Sequence, residues 1–208
     1  MASYEQVGAV DGVVAGAAGK GLPALPQRKR LDHRGPLRND VLSAWYFITI
    51  CAAERVHYGR AVSMKPPQPN AFTPPPHTPF MVHASDMLDA ARFRHANGKW
   101  SLALFLVMPD HLHLIAHFPA GDAAGSSNPP YRGMDWVIAD FKRWLSAKFG
   151  LRFQRDFWDT RLRDEAHYAE KFSYICRNPV RKGLCALACD WPYVIAFDRE
   201  TGEERQHK

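Results

Sequence analysis

Two apolar runs joined by a short turn constrain the fold of this chain more than any other feature. Residues 101–107 form a strand-like run, Met108-Pro109-Asp110 has turn chemistry, and a second strand-like run follows directly. The second run begins His111-Leu112-His113, so its two imidazoles point to the same face of a strand. The sequence therefore predicts two adjacent antiparallel strands with a pair of histidines beside the turn.

Two imidazoles on one face can bind a single metal ion, which makes His111 and His113 candidate ligands. The pattern has a simpler explanation, in which the two are half-buried strand residues that hydrogen-bond to their neighbours. For an isolated His-x-His sequence the simpler explanation is the commoner one, so a second motif is needed to decide.

A second motif begins at residue 172 and reads Phe-Ser-Tyr-Ile-Cys-Arg-Asn-Pro-Val-Arg-Lys-Gly-Leu. Tyr174 and Asn178 are four residues apart, so they share one face of a predicted helix at 164–177. Pro179 cannot continue the helical hydrogen bonds, so the helix should end near Asn178. Tyr168 is a rival candidate, but it lies roughly 240° around the helix from Tyr174, so the two cannot both face the histidines.

The two motifs together resemble the single-tyrosine HUH transposases, and most closely the REP-associated tyrosine transposases of bacteria. The shared features are a His-hydrophobic-His strand, then a helix whose tyrosine precedes Asn-Pro-Val by four residues, then a basic Gly-Leu exit. Residues 44–50 and 153–163 extend the resemblance, which covers roughly 42–193. The chain departs from the family at Thr160, where relatives often have a histidine.

This resemblance implies an α+β fold of the HUH-endonuclease type, with a ferredoxin-like or RRM-like antiparallel sheet and helices packed on one face. The order of elements in the sequence favours the same arrangement, with the histidines on a central strand. The sequence predicts strands at 44–51, 100–108, 112–118 and near 153–162, and helices at 85–97, 134–149 and 164–177.

The activity implied by the resemblance is that of a metal-dependent endonuclease and strand transferase acting on single-stranded DNA. It would cleave at a hairpin, such as a REP-like palindrome, through a 5′-phosphotyrosine formed by Tyr174. His111, His113 and Asn178 would bind one Mg²⁺ or Mn²⁺ ion. No organic cofactor is expected, and the sequence has no Gly-rich phosphate loop.

The charge balance favours a polyanionic partner, with 27 Lys and Arg against 21 Asp and Glu and a net charge of +6. A solvated surface accounts for some of this charge. The basic residues around the second motif are candidate DNA contacts: Arg155, Arg163, Arg177, Arg181 and Lys182.

A chain of 208 residues fits one compact domain, which we assign to 42–195 with a proline-rich insertion near 65–79. Residues 1–41 read as a flexible basic N-terminal arm and 196–208 as a polar C-terminal tail. The first 26 residues lack the pattern of a signal peptide, and no apolar run is long enough to span a membrane. We therefore expect a bacterial cytoplasmic, nucleoid-associated protein without membrane contact, and either a monomer or a homodimer.

Two other functions fit parts of the sequence. One is a domesticated DNA- or RNA-binding module that keeps the fold and has lost catalysis, although the intact set of four candidate residues argues against it. The other is an unrelated His-x-His metal hydrolase, for which Asp110, His117 and Asp140 would have to supply further ligands.

Overall fold

The computed structural model describes residues 44–54, 77–118 and 133–205. The predicted N-terminal arm, most of the proline-rich insertion and the last three residues of the predicted tail lie outside the described residues.

The described part of the chain contains six strands, five α-helices and a short 3₁₀ helix at Ala188–Asp190. The strands are β1 (Trp45–Cys51), β2 (Ser101–Met108), β3 (His111–His117), β4 (Trp158–Arg161), β5 (Val194–Phe197) and β6 (Glu204–Arg205). The helices are α1 (Pro79–Val82), α2 (Ala84–Ala96), α3 (Met134–Phe149), α4 (Glu165–Cys176) and α5 (Asn178–Arg181).

The strands form one antiparallel sheet in the order β4-β1-β3-β2-β5-β6. Strand β3 lies inside the sheet, with β1 and β2 as its neighbours, so the predicted α+β antiparallel arrangement is confirmed. The histidines are on a central strand, as the sequence predicted.

Strand β2 is buried on both faces, which explains why its sequence has no polar residue after Ser101. On one face Phe105 lies opposite Leu114 of β3 and meets Phe141 of α3 edge to face at a ring distance of 5.9 Å. Helix α2 packs against the same aromatic cluster. The indole of Trp100 donates to the Ala91 carbonyl of α2, and its ring contacts the ring of Phe141. Helices α2 and α3 therefore cover one face of the sheet.

Helix α4 lies on the opposite face. Strand alternation turns His113 away from Leu114, and the ring of Tyr174 in α4 lies 5.8 Å from the ring of His113. The prediction that helices pack on one face thus holds for α2 and α3 but not for α4. The physical reason is that the aromatic ring of Tyr174 packs against Phe47 of β1 and His113 of β3, which face this side of the sheet.

The ends of the helices follow from local chemistry. The side chain of Asp164 accepts a hydrogen bond from His167 N and caps α4. Helix α4 ends at Cys176, close to the predicted boundary, and Asn178-Pro179 then begins the separate short helix α5. Gly150 follows α3 with φ of 68°, a conformation that favours glycine.

The predicted boundary between domain and tail at 195/196 falls inside a strand. Strand β5 pairs with β2, and a turn over residues 198–203 brings β6 back to extend the sheet. The described part of the predicted tail is therefore an edge hairpin. Its few polar residues gave no strand pattern because β6 is exposed and two residues long.

Among the described helices, none has both the length and the apolar character needed to cross a bilayer.

Candidate active site

The turn between β2 and β3 is fixed by two neighbouring segments. The hydroxyl of Thr78 donates to the Pro109 carbonyl at 2.8 Å, and the Asp110 carbonyl accepts from Ala52 N at 2.8 Å. The turn therefore holds the start of β3 in place, where the rings of His111 and His113 lie 4.6 Å apart.

Both imidazoles have a hydrogen-bond partner at Nδ1. His111 Nδ1 lies 2.7 Å from Asp110 Oδ1, and His113 Nδ1 lies 2.9 Å from Thr49 Oγ1 on β1. A histidine that donates from Nδ1 has a free lone pair on Nε2. Histidines that bind metals usually have this arrangement, with the second ring nitrogen donating to a neighbouring group. The Asp110 carboxylate, which only accepts, thus favours the tautomer of His111 with its proton on Nδ1, and the Thr49 hydroxyl is able to accept from the same tautomer of His113.

Asn178 faces the other ring nitrogen of His113. The amide Nδ2 lies 2.9 Å from His113 Nε2, and both residues are buried. Both bonds of His113 are satisfied together when its proton is on Nδ1. Burial, and then the neighbouring His111, hold the pKa of His113 well below its usual range, so the ring is neutral near pH 7.

Tyr174 lies at the mouth of this cluster. Its ring is 5.8 Å from that of His113 and meets Phe47 of β1 edge to face at 5.9 Å. The guanidinium of Arg181 lies over the ring face, 4.9 Å from its centre, which favours a fixed orientation. With 37% of its surface exposed, Tyr174 is reachable from solvent while His113 is not.

The rival Tyr168 belongs to another cluster. Its ring lies 4.0 Å from the guanidinium carbon of Arg199 and 5.9 Å from the Phe172 ring. Burial raises the pKa of its phenol, so the Tyr168 hydroxyl is harder to deprotonate than that of an ordinary tyrosine. The structure thus brings Tyr174, and not Tyr168, to the histidines.

The donor set fits a weakly bound divalent ion. It consists of two imidazole nitrogens and an amide that also carries an oxygen, and it brings no net charge. Within the described residues no group of three or more His, Cys, Asp or Glu could hold a metal ion. A metal at this site would therefore need ligands from a substrate or water to complete its coordination.

The additional ligands required by a metal hydrolase do not assemble around the histidines. Asp140 pairs with Arg94 at 2.9 Å on the helix-covered face, and His117 is at the far end of β3 beside the Trp45 ring. The carboxylate of Asp110 is hydrogen-bonded to Nδ1 of His111. The geometry accordingly gives no support to this alternative.

The five candidate DNA contacts are all exposed. Arg177 and Arg181 line a groove of about 460 Å³ next to α5, and Arg163 lies just beyond β4. By contrast, Lys142 on α3 turns inward and donates to the backbone carbonyls of Gln154 and Arg155.

Three residues of the site were not singled out by the sequence motifs: Thr49, Phe47 and Asp110 in its role as the partner of His111. Asp110 precedes a histidine directly, which is a signal that can be read from sequence. Thr49 is 64 residues from His113, and only the β1–β3 register places the two opposite each other.

No protein-family model matches this chain. Two curated relatives do. A Haemophilus influenzae protein that bears the name of a REP-associated tyrosine transposase is 30% identical over 106 residues, which is 47% of this chain and 59% of the relative. The REP-associated tyrosine transposase of Escherichia coli (strain K12) is 31% identical over 91 residues, 43% of this chain and 50% of the relative. The matched segments thus span little more than half of the relatives' lengths.

A solved structure, that of a REP-associated tyrosine transposase bound to a REP hairpin, shares the fold. It aligns with a TM-score of 0.51 at 21% sequence identity, over 73% of this chain and 76% of that one. The resemblance to the REP-associated tyrosine transposases that the two motifs predicted is therefore confirmed, by named relatives at 30% and 31% identity and by a common fold.

Proposed function

We propose that this protein is a tyrosine transposase that cleaves and rejoins single-stranded DNA at a hairpin, with Tyr174 as the nucleophile. The observation that carries the proposal is the position of Tyr174, whose solvent-exposed ring lies 5.8 Å from the buried His113 ring. Such a pair offers an accessible hydroxyl beside a group of neutral nitrogen donors.

His111, His113 and Asn178 are the residues that would hold a divalent ion, Mg²⁺ or Mn²⁺. When bound, such an ion would offset the negative charge that builds on the phosphoryl oxygens during transfer. Asp110 and Thr49 keep the Nε2 atoms of the histidines directed at the site. Because the three donors are uncharged, we expect tight metal binding only when DNA phosphate is also present.

The reaction follows from the phenol of Tyr174. Its oxygen attacks the phosphorus, the bond from phosphorus to the 3′ oxygen breaks, and the proton lost by the phenol ends on the departing 3′-hydroxyl. The product is a 5′-phosphotyrosine, and attack by another 3′-hydroxyl restores the phenol and joins the strands. Because the covalent intermediate retains a phosphodiester bond, no ATP or organic cofactor is required.

The partner is inferred from the relatives and from the charge of the chain. One structural neighbour was solved with a REP hairpin, and the exposed residues Arg177 and Arg181 follow Tyr174 in the chain, with the Arg181 guanidinium over the Tyr174 ring. We therefore propose hairpin DNA with a single-stranded flank as the substrate, which would place the protein at the bacterial nucleoid in the cytoplasm.

The test is a cleavage assay with end-labelled single-stranded hairpins from the source genome, Mg²⁺ or Mn²⁺, denaturing gels and mass spectrometry of the protein. We expect a DNA adduct on Tyr174 that EDTA prevents. Tyr174→Phe should abolish the adduct and keep hairpin binding, whereas the matched variant Tyr168→Phe in the same helix should still form it.

Two outcomes would contradict the proposal. Tight hairpin binding without an adduct on any substrate would identify a DNA- or RNA-binding module that has lost catalysis. Cleavage that survives Tyr174→Phe would show that water is the nucleophile, as in a metal hydrolase.

A further inference from the structure

A groove of about 550 Å³ lies beside β4, next to the candidate active site, and nothing in the proposed cleavage step uses it. Its lining consists of polar and basic side chains, namely Thr160, Arg161, Arg163 and His167. A second groove of about 370 Å³ shares Arg161 and Arg163 and continues towards Tyr168 and Arg199. Hydroxyl, guanidinium and imidazole groups together are the donors that phosphate recognition uses.

The groove lies on the same face of the sheet as Tyr174. Thr160 is opposite Phe47 in the β1–β4 register, and the ring of Phe47 contacts the ring of Tyr174. His167 precedes Tyr174 by seven residues in α4, so the two side chains share a helix face about 10 Å apart along its axis. The groove therefore extends from the nucleophile along α4 towards its N-terminus.

The acidic side chains next to the groove are already engaged. Glu165 accepts two hydrogen bonds from Arg199, both 2.8 Å long, and Asp164 caps the backbone of His167. Arg163 is exposed and has no hydrogen bond or ion pair with any other residue that the structure describes. Its guanidinium is thus available for a ligand.

We propose that this groove binds a backbone phosphate of the single strand that flanks the bond cleaved at Tyr174. Arg163 supplies the charge and His167 and Thr160 supply further hydrogen bonds. With a rise of about 3.4 Å per stacked nucleotide, the separation along α4 places this phosphate within roughly three nucleotides of the scissile one. The inference rests on the proposed function, because the strand bound in the groove is the single-stranded flank of the same hairpin DNA.

The test replaces single phosphates of the hairpin flank by uncharged methylphosphonates, one position at a time. Binding is measured by fluorescence anisotropy with the full chain carrying Tyr174→Phe, so that no cleavage intervenes. We expect one position near the cleavage site where the replacement weakens binding roughly three- to tenfold. The same replacement should have little effect when Arg163→Gln is added.

Arg143→Gln is the matched control, because Arg143 is an equally exposed arginine on α3, on the other face of the sheet. In the Arg143→Gln variant, the methylphosphonate replacement should weaken binding as much as it does without this substitution. His167→Asn provides a second groove variant, and circular dichroism checks that each variant is folded. Loss of one phosphate contact should also lower the slope of log affinity against log salt by about 0.7 for Arg163→Gln.

The outcomes separate the two proposals. If the chain forms the Tyr174 adduct but no position depends on Arg163 or His167, the groove does not bind phosphate and the proposed function stands. If the chain binds no hairpin DNA at all, both proposals are overturned.

Discussion

At the scale of single residues, the candidate site depends on the groups behind the histidines as much as on the histidines themselves. Each imidazole has its Nδ1 bonded, His111 to the carboxylate of Asp110 and His113 to the hydroxyl of Thr49. The two partners differ in charge, so they are not equivalent. The carboxylate accepts from His111 and so keeps its proton on Nδ1, whereas the hydroxyl chiefly fixes the orientation of His113.

Replacement of Thr49 by valine tests this role, because valine keeps the shape and the β-branch and removes only the hydroxyl. We expect Mn²⁺ affinity in the presence of hairpin DNA to fall on the order of 10-fold, since the His113 ring loses its orienting partner. Titration of Mn²⁺ followed by electron paramagnetic resonance measures this affinity without catalysis.

Thr201→Val is the control for this experiment, because Thr201 is in the turn between β5 and β6, at the opposite edge of the sheet from β4. It should leave Mn²⁺ affinity unchanged. Equal affinity for the Thr49→Val and wild-type proteins would show that the hydroxyl does not position His113.

At the scale of elements, the parts of the fold with a strong local signal were predictable from sequence. The β2–β3 pair, α2, α3 and α4 have bounds within a residue or two of those predicted, because their apolar patterns and end signals agree. Tyr174 and Asn178 were predicted to share a face, and the structure places both at His113.

Other elements depended on contacts between distant segments and could not be predicted. The side of the sheet on which α4 packs depends on contacts between distant segments, such as those of Tyr174 with Phe47 of β1 and His113 of β3, which no local pattern records. The β5–β6 hairpin has a four-residue strand and a two-residue strand, and β5 joins the sheet by pairing with β2, which is about 90 residues earlier in the chain. The exposure of Trp144 on α3 is another such case, since its ring is 36% exposed and lies under Lys148 and Arg94.

Lys142 connects two elements and gives a prediction at this scale. Its ammonium donates to the carbonyls of Gln154 at 2.6 Å and Arg155 at 2.8 Å, which ties α3 to the segment that leads into β4. Lys142→Met leaves these carbonyls without their donor, so we expect the free energy of unfolding to fall by about 1–3 kcal/mol. Urea unfolding followed by circular dichroism measures the change.

The neighbouring variant Arg143→Met is the comparison, because Arg143 is exposed and its loss should change stability by less than about 0.5 kcal/mol. If Lys142→Met were as stable as Arg143→Met, the bonds from Lys142 to the backbone would contribute nothing measurable.

At the scale of the whole molecule, one chain supplies every residue of the candidate site. Strand β1 contributes Thr49 and Phe47, β3 the two histidines, α4 the tyrosine, and α5 the asparagine, all within the contacts of a single sheet and its helices. No second copy is needed to bring the nucleophile to the histidines. This geometry favours a monomer as the catalytic unit, whatever the protein's state of association.

A mixing experiment tests whether the nucleophile and the histidines act within one chain. Tyr174→Phe lacks the nucleophile and His113→Ala lacks a donor, so each should be inactive alone. Because both residues must come from the same chain, an equal mixture of the two variants should also form no adduct. A mixture of Tyr174→Phe with wild-type protein, the control, should retain the activity of its wild-type share. Adduct formation by the two-variant mixture would instead mean that copies of the chain exchange α4, and that the active form is a dimer with Tyr174 donated across its interface.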